Sequence, residues 1–258
     1  MSNSGKLELL SLAGIISRAR GFRLYTEDGR RLVDLWQDDG RAVLGHKPSN
    51  VLKELKNTAE RGLFAPYPTR AESRFFKCIK TLFPNARNVF FADARSLQTA
   101  AGAQSIPVWR PFSQSGHSVS LEPFFAPVLP WSLAPAILVQ TDSEPLVQYE
   151  TPAQNPQSPA LLAAGTRAVY NLIADGGKRE NLKYRRLNAV LQKTSLRRDG
   201  IYLYFDGAGE LWPSIFEGFL QKGFLAPPSP GSPVILPAEL SAGEEAALAG
   251  LFRNFFGL

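Results

Sequence analysis

Half of the prolines in this chain fall in one stretch, and that stretch constrains the fold more than any other feature. Between Gln104 and Pro159 lie ten of the 20 prolines. Proline has no backbone N–H and its ring clashes with the preceding helical turn, so no long helix can form at this density. We therefore expect short strands here, with residues 117–122 (HSVSLE) and 135–140 (PAILVQ) as the best candidates.

Helical and strand patterns alternate on both sides of the proline-rich stretch, which indicates an α/β fold. Capping boxes, turn glycines and a proline at a first helical position mark the element boundaries. The predicted elements are, in chain order, a helix to about Ser17, a strand pair around Glu27-Asp28-Gly29, a helix from Ser49 to Gly62, a helix from Thr69 to about Phe83, a buried parallel strand at 88–94, a helix from Pro159 to Asp175, a basic helix at 178–198, a strand at 200–206, a helix at Pro213–Lys222, a strand at 232–237 and a terminal helix that begins after Ser241.

Composition indicates an ordinary globular protein, with 44% hydrophobic and 20% charged residues. No apolar run approaches the roughly 18–20 residues that a membrane span needs, and residues 1–21 match an amphipathic helix better than a secretory signal. The single cysteine, Cys78, excludes an internal disulfide and a cysteine-based zinc cluster. We therefore expect no membrane contact and a cytoplasmic location, with Cys78 as a core thiol.

The formal net charge of +6 is concentrated in residues 175–199. A basic stretch of this kind can contact nucleic acid. However, Leu182, Leu187, Val190 and Leu191 form an apolar stripe through it. We therefore interpret the basic helix 178–198 as a solvated helix face, and nucleic-acid binding is the weaker alternative.

Common catalytic and binding motifs do not occur in the chain. The only histidines are His46 and His117, which gives little support to a metal site, and neither a nucleophile elbow nor a glycine-rich nucleotide loop is present. We expect His46 to pack or to hydrogen-bond in a loop. The aromatic residues of the proline-rich stretch have two interpretations, a filled core or a binding surface. These residues are Trp109, Phe112, Phe124, Phe125 and Trp131.

Three segments together carry a family resemblance. They are residues 21–62, in which GFRLYTEDGRRLVDLW leads into LGHKPSNVLKEL; residues 88–103, NVFFADARSLQTAAGA; and residues 157–258, which contain KGFLAPPS and ILPAELS. In order and spacing they resemble the class III aminotransferases, the pyridoxal-phosphate (PLP) fold type I family that includes glutamate-1-semialdehyde aminomutase. The resemblance implies a shortened α/β aminotransferase-like architecture, with a small domain formed from both chain ends and a reduced central domain. It also implies a homodimer.

The resemblance also implies where a cofactor would bind. In that family a glycine-bearing loop holds the phosphate, and the matching positions here are Ala94, Arg95 and Ser96. Arg95 and Ser96 are thus the candidate phosphate contacts. Asp142 is the candidate partner of the pyridine nitrogen, although an aspartate at a strand end can also cap a turn. The family's Schiff-base lysine lies in the large domain, before the helix that here begins at Ser158, and this chain has no lysine from Thr81 to Gly177.

The missing lysine decides the predicted function. We expect an aminotransferase-like pseudoenzyme that has lost PLP Schiff-base catalysis, holds no cofactor, and acts as a binding or partner protein, as a homodimer or with an unidentified protein. The alternative is a PLP-dependent aminotransferase or aminomutase with a relocated lysine, at Lys178, Lys193 or Lys222. The expected divisions are an N-terminal segment (1–85), a reduced proline-rich remnant (86–157) and a C-terminal α/β domain (158–258) that packs with the N-terminal segment.

Overall fold

A computed structural model describes residues 3–92, 106–115, 122–141, 156–176 and 184–258 of the chain. They fall into two compact units. The end unit comprises residues 1–46 and 177–258, and the central unit comprises residues 47–176. The expected α/β class is confirmed, and so is the expected assembly of one unit from both chain ends.

The helices and strands alternate along the chain. In chain order they are α1 (Asn3–Ser11), β1 (Ile16–Arg20), β2 (Arg23–Thr26), β3 (Arg31–Asp34), α2 (Val51–Ala59), α3 (Arg70–Leu82), β4 (Ala86–Phe91), β5 (Val108–Trp109), β6 (Phe124–Pro127), β7 (Ile137–Thr141), α4 (Pro159–Asp175), α5 (Arg185–Leu191), β8 (Arg197–Asp199), β9 (Tyr202–Tyr204), α6 (Trp212–Gln221), β10 (Phe224–Leu225), β11 (Val234–Ile235) and α7 (Ala242–Phe256). A 3₁₀ turn at Asp38–Gly40 follows β3.

The end unit is built around a hairpin that the sequence predicts. Strands β2 and β3 pair antiparallel, and the turn between them is fixed by the hydrogen bond from Thr26 to Asp28 and by the positive φ of Gly29. Strand β10 pairs parallel with β3, which completes a sheet in the order β1-β2-β3-β10. Both chain ends therefore contribute to one sheet.

The first predicted helix is too long. The helix ends at Ser11 and the chain then turns at Gly14, where φ is +79°. Strand β1 occupies Ile16–Arg20 because these residues find an antiparallel partner in β2. Tertiary pairing therefore overrides a helical pattern that continued to Ser17.

The predicted basic helix at 178–198 is also wrong as a continuous element. Helix α5 ends at Leu191, and Arg197 and Arg198 lie on β8, which pairs antiparallel with β9. Arg197 donates to Asp206 at 2.9 Å, and Arg198 donates to Asn188 at 2.9 Å. These arginines are engaged by their neighbours, and residues 178–183 lie outside the described residues.

The sheet of the central unit corrects another prediction. Its strand order is β4-β7-β6-β5, and β4 pairs antiparallel with β7, with Phe90 opposite Leu138. We predicted a buried parallel strand at 88–94 because its apolar run ends in polar residues. A run of that kind shows that a strand is buried but does not fix the direction of its neighbour. The strand predicted at 135–140 is confirmed as β7, whereas 117–121 lies outside the described residues.

Helices α2 and α3 of the central unit both pack against α4. For that reason the unit boundaries lie at His46 and Gly176 rather than at the predicted positions 85/86 and 157/158. Gly165 permits the close approach of α4 to α3, because a Cβ there would lie 3.2 Å from the ring of Phe75.

The core of the central unit is aromatic. Phe75 and Phe125 are fully buried, and burying a phenylalanine stabilises a fold by about 2–3 kcal/mol. Cys78 is buried in the same cluster, as the sequence predicts. Trp109 and Trp131 pack against it, while Phe124 is buried in a small neighbouring cluster. These aromatic residues therefore fill the core, which was the first of the two interpretations. Phe112 is half-buried, and its φ is 63°.

Candidate functional site

The cofactor residues implied by the sequence lie outside the described residues. Arg95 and Ser96 fall in 93–105 and Asp142 falls in 142–155, so their roles remain predictions. The adjoining strands are described. Thr141, at the end of β7, lies opposite Ala86, and Phe91 ends β4 five residues further on. The segment 93–105 begins just after β4, which ends at Phe91, and the segment 142–155 follows Thr141. Because these two strand ends are five residues apart along the antiparallel pair, at about 3.4 Å per residue, they are separated by about 17 Å.

The lysines of the described residues do not fit a Schiff base with PLP. A Schiff-base lysine is activated by desolvation in a pocket or by a neighbouring cation. Apart from Lys6, which is half-buried on α1, the described lysines are exposed. They are Lys47, Lys53, Lys56, Lys77, Lys80, Lys193 and Lys222. No chemistry through PLP is therefore supported by these side chains.

The central unit contains a cavity of about 460 Å³, which is in the size range of small-molecule sites. Each of the three helices that the structure describes in this unit contributes side chains to the cavity. From α2 and the turn after it come Glu54, Asn57, Thr58 and Arg61, whose spacing of three, four and seven residues places them on one helix face. The helices bring together residues that are far apart in the sequence. We call this site the arginine cavity.

Helices α3 and α4 supply the other charged groups of the arginine cavity. Arg70 and Arg74 lie one turn apart on α3, about 6 Å along its axis. Arg167 lies on α4. With Arg61 they make four guanidinium groups, and Glu54 is the one carboxylate among the lining residues.

These four arginines have no carboxylate partner within 4.0 Å in the part of the chain that the structure describes. The Nε atom of Arg167 is buried and has no hydrogen-bond partner among the described residues. The first turn of α3 also faces the cavity, where Thr69 caps the helix by accepting a hydrogen bond from Ala71. The positive end of that helix dipole adds to the positive potential.

Cys78 lies beside the arginine cavity but is not a reactive thiol. Burial raises the pKa of Cys78 to about 12, and the hydrogen bond with Tyr170 opposes this rise only in part. Its thiol donates to the carbonyl of Thr166 at 3.5 Å. Because the thiolate is the nucleophilic form, this thiol does not supply covalent chemistry at neutral pH. The cavity therefore provides binding groups rather than a nucleophile.

A second polar cluster, in the end unit, stabilises a strained backbone turn. Asp34 is 1% exposed and accepts hydrogen bonds from the backbone of Trp36 and Gln37 at 2.9 and 2.8 Å. Its other oxygen lies 2.8 Å from His46 Nε2, which confirms the loop hydrogen bond expected for that histidine. Gln37 to Asp39 have positive φ values of 50–56°, a conformation that costs about 1–3 kcal/mol per residue. Asp34 holds this strained turn in place.

No protein-family model matches the chain. An uncharacterized protein of Treponema pallidum (strain Nichols) is 38% identical over 114 residues, which are 40% of this chain and 37% of that protein. The glutamate-1-semialdehyde 2,1-aminomutase of Thermodesulfovibrio yellowstonii is 29% identical over 107 residues, 42% of this chain and 24% of the relative. The matched part thus spans about a quarter to a third of the length of these relatives, and the aminomutase is a longer protein.

Solved structures extend the similarity along the chain. An omega-transaminase from Sphaerobacter thermophilus aligns with a TM-score of 0.65 and 11% identity, over 94% of this chain and 90% of that one. The acetylornithine aminotransferase of Elizabethkingia anophelis aligns with a TM-score of 0.64 and 11% identity, over 99% of each chain. At this identity the match shows the fold.

Sequence and fold point in the same direction. The partial sequence similarity is to an aminomutase, and the structural similarity to a transaminase and an aminotransferase runs over nearly the whole chain. The chain therefore has an aminotransferase-like fold, and part of its sequence is similar to a glutamate-1-semialdehyde 2,1-aminomutase.

Proposed function

We propose that this protein is a non-catalytic binding or partner protein built on an aminotransferase fold, and that it has lost PLP Schiff-base catalysis. The observation that carries the proposal is the absence of lysine from Thr81 to Gly177. In the related family that part of the chain supplies the lysine that holds PLP. The exposure of the described lysines of the central unit supports the same conclusion.

The test is the visible absorption spectrum of the purified protein, alone and titrated with PLP, followed by borohydride reduction. We expect no aldimine band and no lysine that borohydride fixes to the cofactor. A band that reduction converts into one PLP-modified lysine would overturn the proposal and would favour a PLP-dependent aminotransferase or aminomutase.

Mapping the modified lysine would then decide between positions. Lys193 and Lys222 are exposed, so they are poor candidates, and Lys178 lies outside the described residues. Replacing each of the three by alanine would identify the residue, because only one variant would lose the reducible band.

The proposal includes a homodimer, as the family resemblance implies. Light scattering after size-exclusion chromatography should then give about twice the chain mass of 28.3 kDa. A mass equal to one chain over the whole concentration range would remove this part of the proposal.

The proposal also places the protein in the cytoplasm. Cys78, its single cysteine, is a buried free thiol, which suits a reducing compartment. Among the described residues, no helix is both long and apolar enough to cross a membrane. Fractionation of cells that express the full chain would test the location, and recovery with the membrane or the secreted fraction would contradict it.

A further inference from the structure

We propose that the arginine cavity binds a small anion that carries two or more carboxylate or phosphate groups. This inference deepens the proposed binding function and rests on it, because it names the chemical class of the ligand. Arg95 and Ser96, which match the family's phosphate loop, are not among the described residues that line this cavity.

The charge of the lining is the first argument. The described lining holds four arginines and one acidic side chain, Glu54. The arginines are Arg61, Arg70, Arg74 and Arg167. Arg70 and Arg74 stand at i and i+4 on one helix, where like charges destabilise the helix. The lining therefore carries an excess of positive charge, which attracts an anion most strongly at low salt.

The chemistry of the lining is the second argument. A planar guanidinium donates two parallel hydrogen bonds to a carboxylate or a phosphate, and it is the side chain best suited to that recognition. Asn57, Thr58 and Tyr170 add uncharged polar groups. Leu63 and Ala163 supply apolar surface for the carbon part of a ligand. Metal ions are disfavoured because these cations would repel them.

Arg167 carries an unpaired hydrogen-bond donor. Its Nε is buried and has no hydrogen-bond partner among the described residues. Leaving a buried donor unpaired is unfavourable, and charged donors cost more than neutral ones. A shift of the Arg167 side chain on ligand binding would bring this donor to an anionic oxygen in the cavity. Arg167 is therefore the residue on which binding should depend most.

The size of the cavity limits the ligand. A volume of about 460 Å³ suits a small molecule, and helices α2, α3 and α4 of one unit line it. Pyrophosphate and citrate fit that volume and present two and three anionic groups respectively. They represent the phosphate and the carboxylate versions of the proposed ligand.

The experiment is isothermal titration calorimetry of the full chain at low ionic strength, with pyrophosphate in one series and citrate in the other. We expect saturable binding of at least one of them, weaker at higher salt because ions screen the exposed arginines. The probe that binds more tightly identifies the chemical class. Arg167→Gln should weaken that binding by about tenfold or more, as expected for a lost charged hydrogen bond.

Two further variants keep the result interpretable. Arg74→Gln changes an exposed side chain of the same cavity, so it should fold even if Arg167→Gln does not, and it should also weaken binding. Arg87→Gln is the matched control, because Arg87 is an exposed arginine of the central unit that does not line the cavity. Binding should be unchanged in this control.

The outcomes separate this inference from the proposed function. Absence of saturable binding by both probes, or equal weakening by Arg87→Gln and Arg74→Gln, would overturn the anion site. The proposed loss of Schiff-base chemistry would still stand in that case, since the PLP spectrum tests it independently. A reducible PLP–lysine band would overturn the proposed function instead.

Discussion

Two groups of arginines in this protein differ in what they do for the fold. Arg23, in the end unit, donates two parallel hydrogen bonds to Glu244, at 2.9 and 2.6 Å. Arg31 lies 3.4 Å from the same carboxylate. The hydrogen bond from Arg23 is the main reason why the pKa of Glu244 falls to about 2. These charges are neutralised within the protein, and their interaction stabilises the folded chain.

The arginine cavity of the central unit has the opposite character. Its four guanidinium groups have no carboxylate partner within 4.0 Å among the described residues, and one buried Nε is left without an acceptor. Arginine side chains therefore have different roles in the end unit and in the arginine cavity. Arg23 is paired within the protein, whereas the described residues supply no carboxylate partner to the cavity arginines, which leaves them available to a ligand.

The largest effect is expected from Glu244→Gln. This change removes the charge that faces Arg23 and Arg31, and it weakens the capping box with Ser241. We expect the free energy of unfolding to fall by about 2–3 kcal/mol, since the pair is largely shielded from water. Urea denaturation measures this. Glu217→Gln, at an exposed position on α6, is the control and should change stability by less than about 0.5 kcal/mol. Equal losses of stability in Glu244→Gln and Glu217→Gln would show that the pairing of Arg23 with Glu244 does not stabilise the fold.

Acid should remove the same stabilisation. The folded-state pKa of Glu244 is about 2 and its ordinary value is 4.5, so the carboxylate form favours folding. Its contribution is fully present above about pH 4.5 and is lost as the pH falls towards 2. The difference in stability between the wild type and Glu244→Gln should therefore shrink over this window in urea titrations. A constant difference down to pH 2 would show that the charge of Glu244 is not responsible.

His46→Ala should have a smaller effect. It leaves one oxygen of the buried Asp34 without its partner, which should cost about 1–3 kcal/mol of unfolding free energy. Lys47→Ala, at the exposed neighbouring position, is the control and should have little effect on thermal unfolding. The variant tests whether the pair of Asp34 and His46, a second paired polar group of the end unit, also stabilises the fold. A His46→Ala variant as stable as its control would show that it does not.

The smallest effect, with the opposite sign, is expected from Arg74→Gln. Removing one of two like charges at i and i+4 should stabilise the protein by about 0.2–0.5 kcal/mol at low salt and without added anion. High-precision thermal unfolding would detect it. Destabilisation by more than about 1 kcal/mol, the usual size for a lost structural contact, would show that Arg74 supports the fold and would remove the contrast with Arg23.

Features set by neighbouring residues were predictable. The hairpin around Gly29, the helix that begins at Pro159 and the capping box of Ser241 and Glu244 occur where the sequence places them. Each depends on residues within a few positions of one another, so a local pattern carries the information. Thr69 also caps its helix, but it accepts a hydrogen bond from Ala71 rather than forming the predicted capping box with Glu72. The candidate cofactor residues Arg95, Ser96 and Asp142 remain predictions, because they lie outside the described residues.

The sequence by itself determined the α/β class, most element boundaries and the absence of lysine from Thr81 to Gly177. Only the tertiary structure decided the direction of β4, the break in the basic helix and the pairing of Arg23 with Glu244, 221 residues away. It alone also brought the arginines of three helices to one cavity. The physical reason is that a local pattern reports the burial and backbone preference of a segment, whereas strand partners and charge neighbours depend on which distant segments pack together.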